Sequence, residues 1–227
     1  MNNEELKNLY EKVYSDGKEN FFTMSTFDVS KEVLREIDWG NKKVLEIGCG
    51  AGEAASLIAE SGGKIFAIDY AFSSITEAKK RHSHPNLTFA VESLDSVQEK
   101  FDVIVAQEVI EHTDDPFEVL KRMKELMNEN GTIIITCPNF LNLYGYICMT
   151  LYLLLDVPIS LTDLHFLSPF DMEDFAQQLG LKCKWRTFRF GQAHGEDMII
   201  DLRKRLTNAL RDANLDNSNV EILLDWF

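Results

Sequence analysis

The sequence predicts an α/β fold, a mostly parallel sheet wound by helices on both faces. Three observations carry this expectation. Between about residues 43 and 136, short apolar runs alternate with amphipathic stretches, and strand–helix alternation of this kind builds parallel strands covered on both sides. A glycine run, Glu46-Ile47-Gly48-Cys49-Gly50-Ala51-Gly52, stands between the first apolar run and the first amphipathic one. The 227 residues are 45% hydrophobic and 11% aromatic, which suits one compact domain with a substantial core.

Taken in order, residues 1–38 read as two helical stretches split by Ser15-Asp16-Gly17, an N-terminal cap whose Tyr14, Phe21, Phe22 and Phe27 are placed to help close a pocket. Residues 44–47, 64–68, 88–91, 102–106 and 132–136 read as buried strands, and 54–59, 74–81 and 117–127 as the helices between them. Two helix starts are marked by an N-cap, a proline at the first helical position and an acid soon after: Asp115-Pro116-Phe117-Glu118 and Ser168-Pro169-Phe170-Asp171. Gly131 and Gly180 are the expected C-terminal glycine caps of those helices. Residues 141–155, LNLYGYICMTLYLLL, are apolar but too short to span a bilayer, which takes about 20 residues. They read as a buried or lid helix, with an apolar substrate wall or a membrane-surface contact as the sharper alternative. Residues 198–210 and 220–226 read as helical. The whole is one domain, 1–227, divided into a cap (1–38), a cofactor-binding core (40–137), a helical insertion (138–166) and a C-terminal part of sheet and tail (167–227).

Composition narrows the partners. Lys and Arg total 23 against 37 Asp and Glu, a net charge of −14, which repels phosphate backbones and anionic membranes at long range. The basic clusters Lys79-Lys80-Arg81 and Arg203-Lys204-Arg205 read as solvated helix faces. The four cysteines form no C-x-x-C pair, and the start MNNEELKNLY has no apolar signal-peptide core, so a cytoplasmic protein is expected. Oligomeric state is not legible.

The glycine run carries the chemistry. Glycine permits a tight turn and a close ligand approach, and a loop that opens a helix points free N–H groups at that ligand. Counted from Gly48, a dinucleotide fingerprint G-x-G-x-x-G/A would end on Glu53, whose charge repels a pyrophosphate. S-adenosylmethionine, with a sulfonium and an amino acid and no phosphate, suits the loop better. Glu46 is placed to hold its ammonium group, directly or through water. Asp69, ending the second strand, can accept hydrogen bonds from both ribose hydroxyls.

The combination E-x-G-x-G-x-G, then I-D, then F-D-V-I-V-A-Q-E-V-I-E-H resembles the class I S-adenosylmethionine-dependent methyltransferases, in the branch of the ubiquinone-biosynthesis O-methyltransferases, over about residues 40–185. The resemblance implies a Rossmann-like, doubly wound, seven-stranded sheet with N-terminal helices and a helical insertion after strand 5. It implies that Gly48, Cys49, Gly50 and Gly52 line the cofactor, that Asp69 holds its ribose and that Tyr70 packs on adenine. Ser93 and Leu94 meet the adenine edge, with Ser93 where the family often has Asp, and Gln107 lies beside the methionine moiety. The usual antiparallel seventh strand is not evident after Gly191.

On the acceptor side, His112 and His165 are the candidate general bases. Glu108, Glu111, His112 and His165 form a possible divalent-metal set like that of small-RNA 2′-O-methyltransferases, but no metal is assigned and the charge disfavours RNA. The leading expectation is O-methylation of a small metabolite, with S-adenosyl-L-homocysteine as product. A metal-dependent RNA 2′-O-methyltransferase and a non-catalytic cofactor-binding regulator are the alternatives.

Overall fold

Five parallel strands form one sheet in the order β3-β2-β1-β4-β5. They are β1 Lys43–Ile47, β2 Lys64–Asp69, β3 Leu87–Val91, β4 Phe101–Gln107 and β5 Met127–Thr136. The computed structural model describes residues 26–157, 165–188 and 195–226, together with Asn8 and Glu11. The expected helical stretches of residues 1–25 lie outside these, apart from those two positions. The helices are α1 Thr26–Leu34, α2 Glu53–Glu60, α3 Phe72–Arg81, α4 Pro116–Leu126, α5 Leu143–Leu155, α6 Pro169–Gln178, α7 Gly195–Asp212 and α8 Val220–Leu224.

The central strands are apolar on both faces because both faces are covered. Val44, Ile65, Ala67, Val103 and Val105 pack with Val33 of α1, Ala55 and Ile58 of α2, and Ile75 and Ala78 of α3. Leu45, Ile47, Ile68, Ile104 and Ala106 pack with Leu120, Met123 and Leu126 of α4 and with Leu179 after α6. The strand order reverses between β1 and β4. The loops leaving their carboxyl ends therefore diverge and open a crevice there, where open α/β sheets take their ligands.

Two expectations are corrected. The sheet has five strands among the described residues, not seven. Residues 181–188, which come after α6, form no ladder and are mostly exposed. Arg186 ties this segment sideways to Glu32 and Glu36. The reason lies downstream. Met198, Leu202, Leu206 and Leu210 recur every four residues, so this part of the chain folds as helix α7 and buries Leu202 and Leu206 against α5 and α8. Among the described residues no strand stands between β5 and residues 181–188. Gly131 is likewise not a helix cap. α4 ends at Leu126 and β5 starts at once. Gly131 lies inside β5, where a Cβ would meet the Met127 side chain and the carbonyl of Asp102. The pairing steps there from Phe101↔Met127 to Val103↔Thr132. Gly180 is a C-terminal cap as expected, with φ 65°. Both N-caps form: Asp115 accepts from the amides of Phe117 and Glu118, and Ser168 and Asp171 close a reciprocal box.

Beyond the sheet, α5, α7 and α8 share a second core of Phe140, Cys148, Leu202, Leu206, Val220 and Leu224. The apolar segment 141–155 is thus a helix with one face packed, while Tyr146, Leu153 and Leu154 on its other side are exposed. Among the described residues, no helix is long and apolar enough to cross a membrane. The basic clusters are neutralised locally. Arg81 pairs with Glu77 and Glu53, and Arg203 with Glu221. Arg205 departs from the expected solvated face. It is largely buried and donates to Asp201 Oδ2 at 2.8 Å, the same oxygen that accepts the Tyr144 hydroxyl at 2.8 Å. That carboxylate pins α5 to α7. Asp201→Ala leaves a guanidinium and a phenol buried without it, and is expected to lower the unfolding free energy by about 3–5 kcal/mol in a urea titration. A loss under ~1 kcal/mol would show that the pin is dispensable.

Candidate functional site

The turn from β1 to α2 is made by glycines at positive φ: 63° at Gly48, 51° at Gly50 and 88° at Gly52. A side chain is excluded at two of them for space as well. A Cβ at Gly48 would come within 2.6 Å of Val109 Cγ2, and one at Gly52 within 2.6 Å of Phe89 Cζ. The loop therefore winds tightly over the sheet, against Phe89 of β3 on one side and Val109, just past the end of β4, on the other. Cys49 fills the buried side of the turn, its amide bonded to the Ile68 carbonyl. Burial, then the acids Glu46 and Asp69, push its thiol far up, so it remains protonated packing.

Asp69 closes the arrangement. Its Oδ2 accepts from the Gly50 amide at 3.0 Å and its Oδ1 from the Ala71 amide at 2.8 Å. One carboxylate thus staples the end of β2 to the glycine loop. Burial raises its pKa, while the Ala71 and Gly50 amides oppose the rise. Glu46, on β1 immediately before the loop, is buried, and its Oε2 has no hydrogen-bond partner among the described residues. Burial first, then the charges of Glu53 and Asp69, push its pKa up to about 8. A buried carboxyl in this state is suited to an incoming cation. Tyr70 is half-buried beside Asp69, Ser93 is exposed and Leu94 half-buried in the turn after β3.

At the end of β4, Gln107 Oε1 accepts the Ser30 hydroxyl of α1 at 2.9 Å. The next residue, Glu108, has φ 52°, a left-handed backbone that a non-glycine residue adopts only when its surroundings impose it. Thr136 imposes it: its hydroxyl donates to Glu108 Oε1 at 2.8 Å and its carbonyl accepts the Glu108 amide at 3.0 Å. A 3₁₀ turn, Ile110–His112, comes next. Glu111 is fully buried there, with its Oε1 3.8 Å from His112 Nε2. His165 reaches the same turn from the segment before α6. Its amide donates to the Glu111 carbonyl at 3.1 Å and its Nε2 to the Thr113 carbonyl at 2.9 Å.

The loop, Glu46, Asp69 and Tyr70 are therefore contiguous, and both histidines meet at one turn after β4. The metal set does not assemble. Glu108 engages Thr136 and His165 a carbonyl, and among the described residues no three acids, histidines or cysteines converge to hold a metal ion. Three features are not readable from sequence. Ser30 holds Gln107 across 77 positions and Glu11 contacts α3 across 61, with no local signal for either. The left-handed Glu108 occupies a position where sequence would suggest glycine or asparagine.

Comparison with known proteins bears on the family and the fold. A family model described as a methyltransferase domain matches residues 19–184. The chain is 29% identical over 157 residues to a ubiquinone biosynthesis O-methyltransferase of Haemophilus ducreyi, covering 63% of this chain and 66% of that one. It is 32% identical over 117 residues to the mitochondrial enzyme of the same name from Schizosaccharomyces pombe, covering 48% and 43%. The matches thus span less than two thirds of these relatives. Among solved structures, an S-adenosylmethionine-dependent methyltransferase of Mesorhizobium loti superposes with a TM-score of 0.57 at 12% identity, covering 81% of this chain and 91% of that one. A magnesium protoporphyrin IX methyltransferase of Synechocystis with S-adenosylhomocysteine bound gives 0.55 at 18%, covering 68% and 71%. At these identities the likeness is one of fold.

The Glu46 geometry makes a prediction with a definite sign. Its folded pKa, about 8, lies above its ordinary value of 4.5. Between those pH values the folded protein keeps a proton that the unfolded chain has lost, so stability falls as pH rises through that window and levels off above it. Glu46→Gln, nearly isosteric, removes this contribution. Denaturant midpoints of the ligand-free protein from pH 5 to 8 are expected to decline less steeply in the variant. Equal slopes would contradict the buried acid.

Proposed function

The chain belongs to the methyltransferase-domain family, and we propose that it transfers the methyl group of S-adenosylmethionine to an oxygen of a small-molecule acceptor, releasing S-adenosyl-L-homocysteine. The observation that carries the proposal is the Gly50 amide bonded to the Asp69 carboxylate. It gathers the glycine loop, the acid ending β2 and the Glu46 oxygen that has no hydrogen-bond partner among the described residues into one site.

The residues fit that donor chemically. Glu46 meets the ammonium of the methionine half and ionises as it does so. Asp69 uses one lone pair on each oxygen for the Gly50 and Ala71 amides and keeps others for the two ribose hydroxyls. Gly48, Cys49, Gly50 and Gly52 offer backbone with no side chain over the ligand except that of Cys49, which points into the core. Tyr70, Ser93 and Leu94 border the adenine, and Gln107, fixed by Ser30, borders the methionine. When bound, the donor supplies an electrophilic methyl carbon whose leaving group is a neutral thioether, so no acid is needed to expel it. The chain's part is to align the acceptor oxygen in line with that bond at about 3–3.5 Å and to take its proton.

For the proton, His112 is favoured over His165. The Nε2 of His165 is committed to the Thr113 carbonyl, and its amide to Glu111, a stapling role. His112 stands beside the buried carboxylate of Glu111, which would orient the imidazole and stabilise it once protonated. The names of the relatives, both O-methyltransferases, support oxygen as the acceptor atom.

Two measurements test this. In calorimetric titration with S-adenosylhomocysteine, Asp69→Ala is expected to weaken binding by about 1.5–3 kcal/mol; unchanged affinity removes the ribose role. With turnover followed as S-adenosylhomocysteine release over a panel of hydroxylated acceptors, His112→Gln is expected to lower kcat by about 10²-fold or more with little change in KM for the donor, and His165→Gln to lower it less. Full activity of His112→Gln would overturn its assignment.

A further inference from the structure

Glu11 touches the molecule at one telling place. Its Oε1 accepts from the Phe72 amide at 2.7 Å and its Oε2 from the Ser73 amide at 3.3 Å. These are the first two amides of α3, a ten-residue helix. A helix start leaves such groups without intrahelical partners, and a side chain at the N-cap normally serves them. Here the N-cap is Ala71, which has no polar side chain, and no side-chain cap bond forms. The missing cap comes instead from a residue 61 positions earlier. A carboxylate suits the place, because it faces the positive end of the helix dipole.

The neighbouring amide, that of Ala71, goes to Asp69 Oδ1. Three successive amides, 71 to 73, are therefore divided between two carboxylates, Asp69 on the inside and Glu11 on the outside. Glu11 is close enough for its charge to act on Asp69. The turn carrying Asp69 and Tyr70 is thus held from both sides, by the glycine loop through Gly50 and by Glu11 through the start of α3.

We propose that Glu11 is a positioning residue: by seating on the Phe72 and Ser73 amides it ties the chain at residue 11 to the rim of the adenosyl site and fixes the turn that presents Asp69. This rests on the donor reading above. The tie and the ligand then support each other. Fixing the turn lowers the ordering cost of binding, and a bound adenosyl group orders the turn on which Glu11 sits.

The test uses the full chain and two readouts. Trypsin can cut the N-terminal segment after Lys7, Lys12 and Lys18, and S-adenosylhomocysteine affinity is measured alongside. Without ligand, Glu11→Gln is expected to be cut there several-fold faster than the wild type, because the amide contacts are weaker without the charge. It is also expected to bind S-adenosylhomocysteine about tenfold more weakly, roughly the loss of one charged hydrogen bond. The ligand should slow cutting in the wild type and much less in the variant, and Glu11→Asp should recover part of both effects. Wild-type cutting rates together with wild-type affinity in Glu11→Gln would overturn the proposal. A wild-type protein that binds no S-adenosylhomocysteine would instead sink the donor reading, and with it the coupling. Faster ligand-free cutting of Glu11→Gln would still register the tie.

Discussion

The site depends on burying two carboxylates side by side at the carboxyl ends of β1 and β2. Ionised acids avoid low dielectric and each other, so each must be answered by the backbone or hold its proton more tightly. For Asp69 the backbone answers, through the amides of Gly50 and Ala71. The Gly50 amide reaches Asp69 from a loop that turns through positive φ at three of five residues, Gly48, Gly50 and Gly52. Val109 and Phe89 occupy the space that side chains at Gly48 and Gly52 would need. For Glu46 the backbone gives little, and burial pushes its pKa up to about 8.

The fold core was legible because it is written in local terms. Four of the five strands are short runs rich in apolar residues, and the fifth, β5, has such a run, residues 132–136, as its second half. The two capped helices begin at Asp115 and Ser168, where a side chain serves amides two or three residues away. That Glu46, the glycines and Asp69 lie together was legible for the same reason, since they sit at the ends of consecutive elements. What was misjudged depends on competition between distant segments. Gly131 looks like a helix cap, but the next strand starts before the cap is needed. The seven-strand expectation failed because the run 195–212 has helical period and folds as α7, packed on α5 and α8, instead of as a strand.

The turn that holds His112 and His165 was less legible because its geometry is made by contacts across the chain. Sequence offers two histidines and no way to rank them. The structure separates their surroundings: His165 is bonded to backbone on the rim of the turn, and His112 lies against a buried acid. The strained backbone of Glu108 is stabilised by Thr136, a residue on another strand. Strain of this kind persists only where the surroundings over-determine it, and it sits at the junction between the donor crevice and the histidine turn.

The sheet's termination at β5 bears on how the molecule behaves in a crowded solution. Among the described residues the last strand ends in Thr132-Ile133-Ile134-Ile135-Thr136, β-branched throughout, with none of the lysines, prolines or inward charges that usually blunt a sheet edge. Each chain also carries an excess of 37 acidic over 23 basic residues, a repulsion that reaches about 10 Å at 0.1 M salt and shrinks to about 3 Å at 1 M. The charge that holds copies of such a strand apart is therefore one that added salt shortens in range.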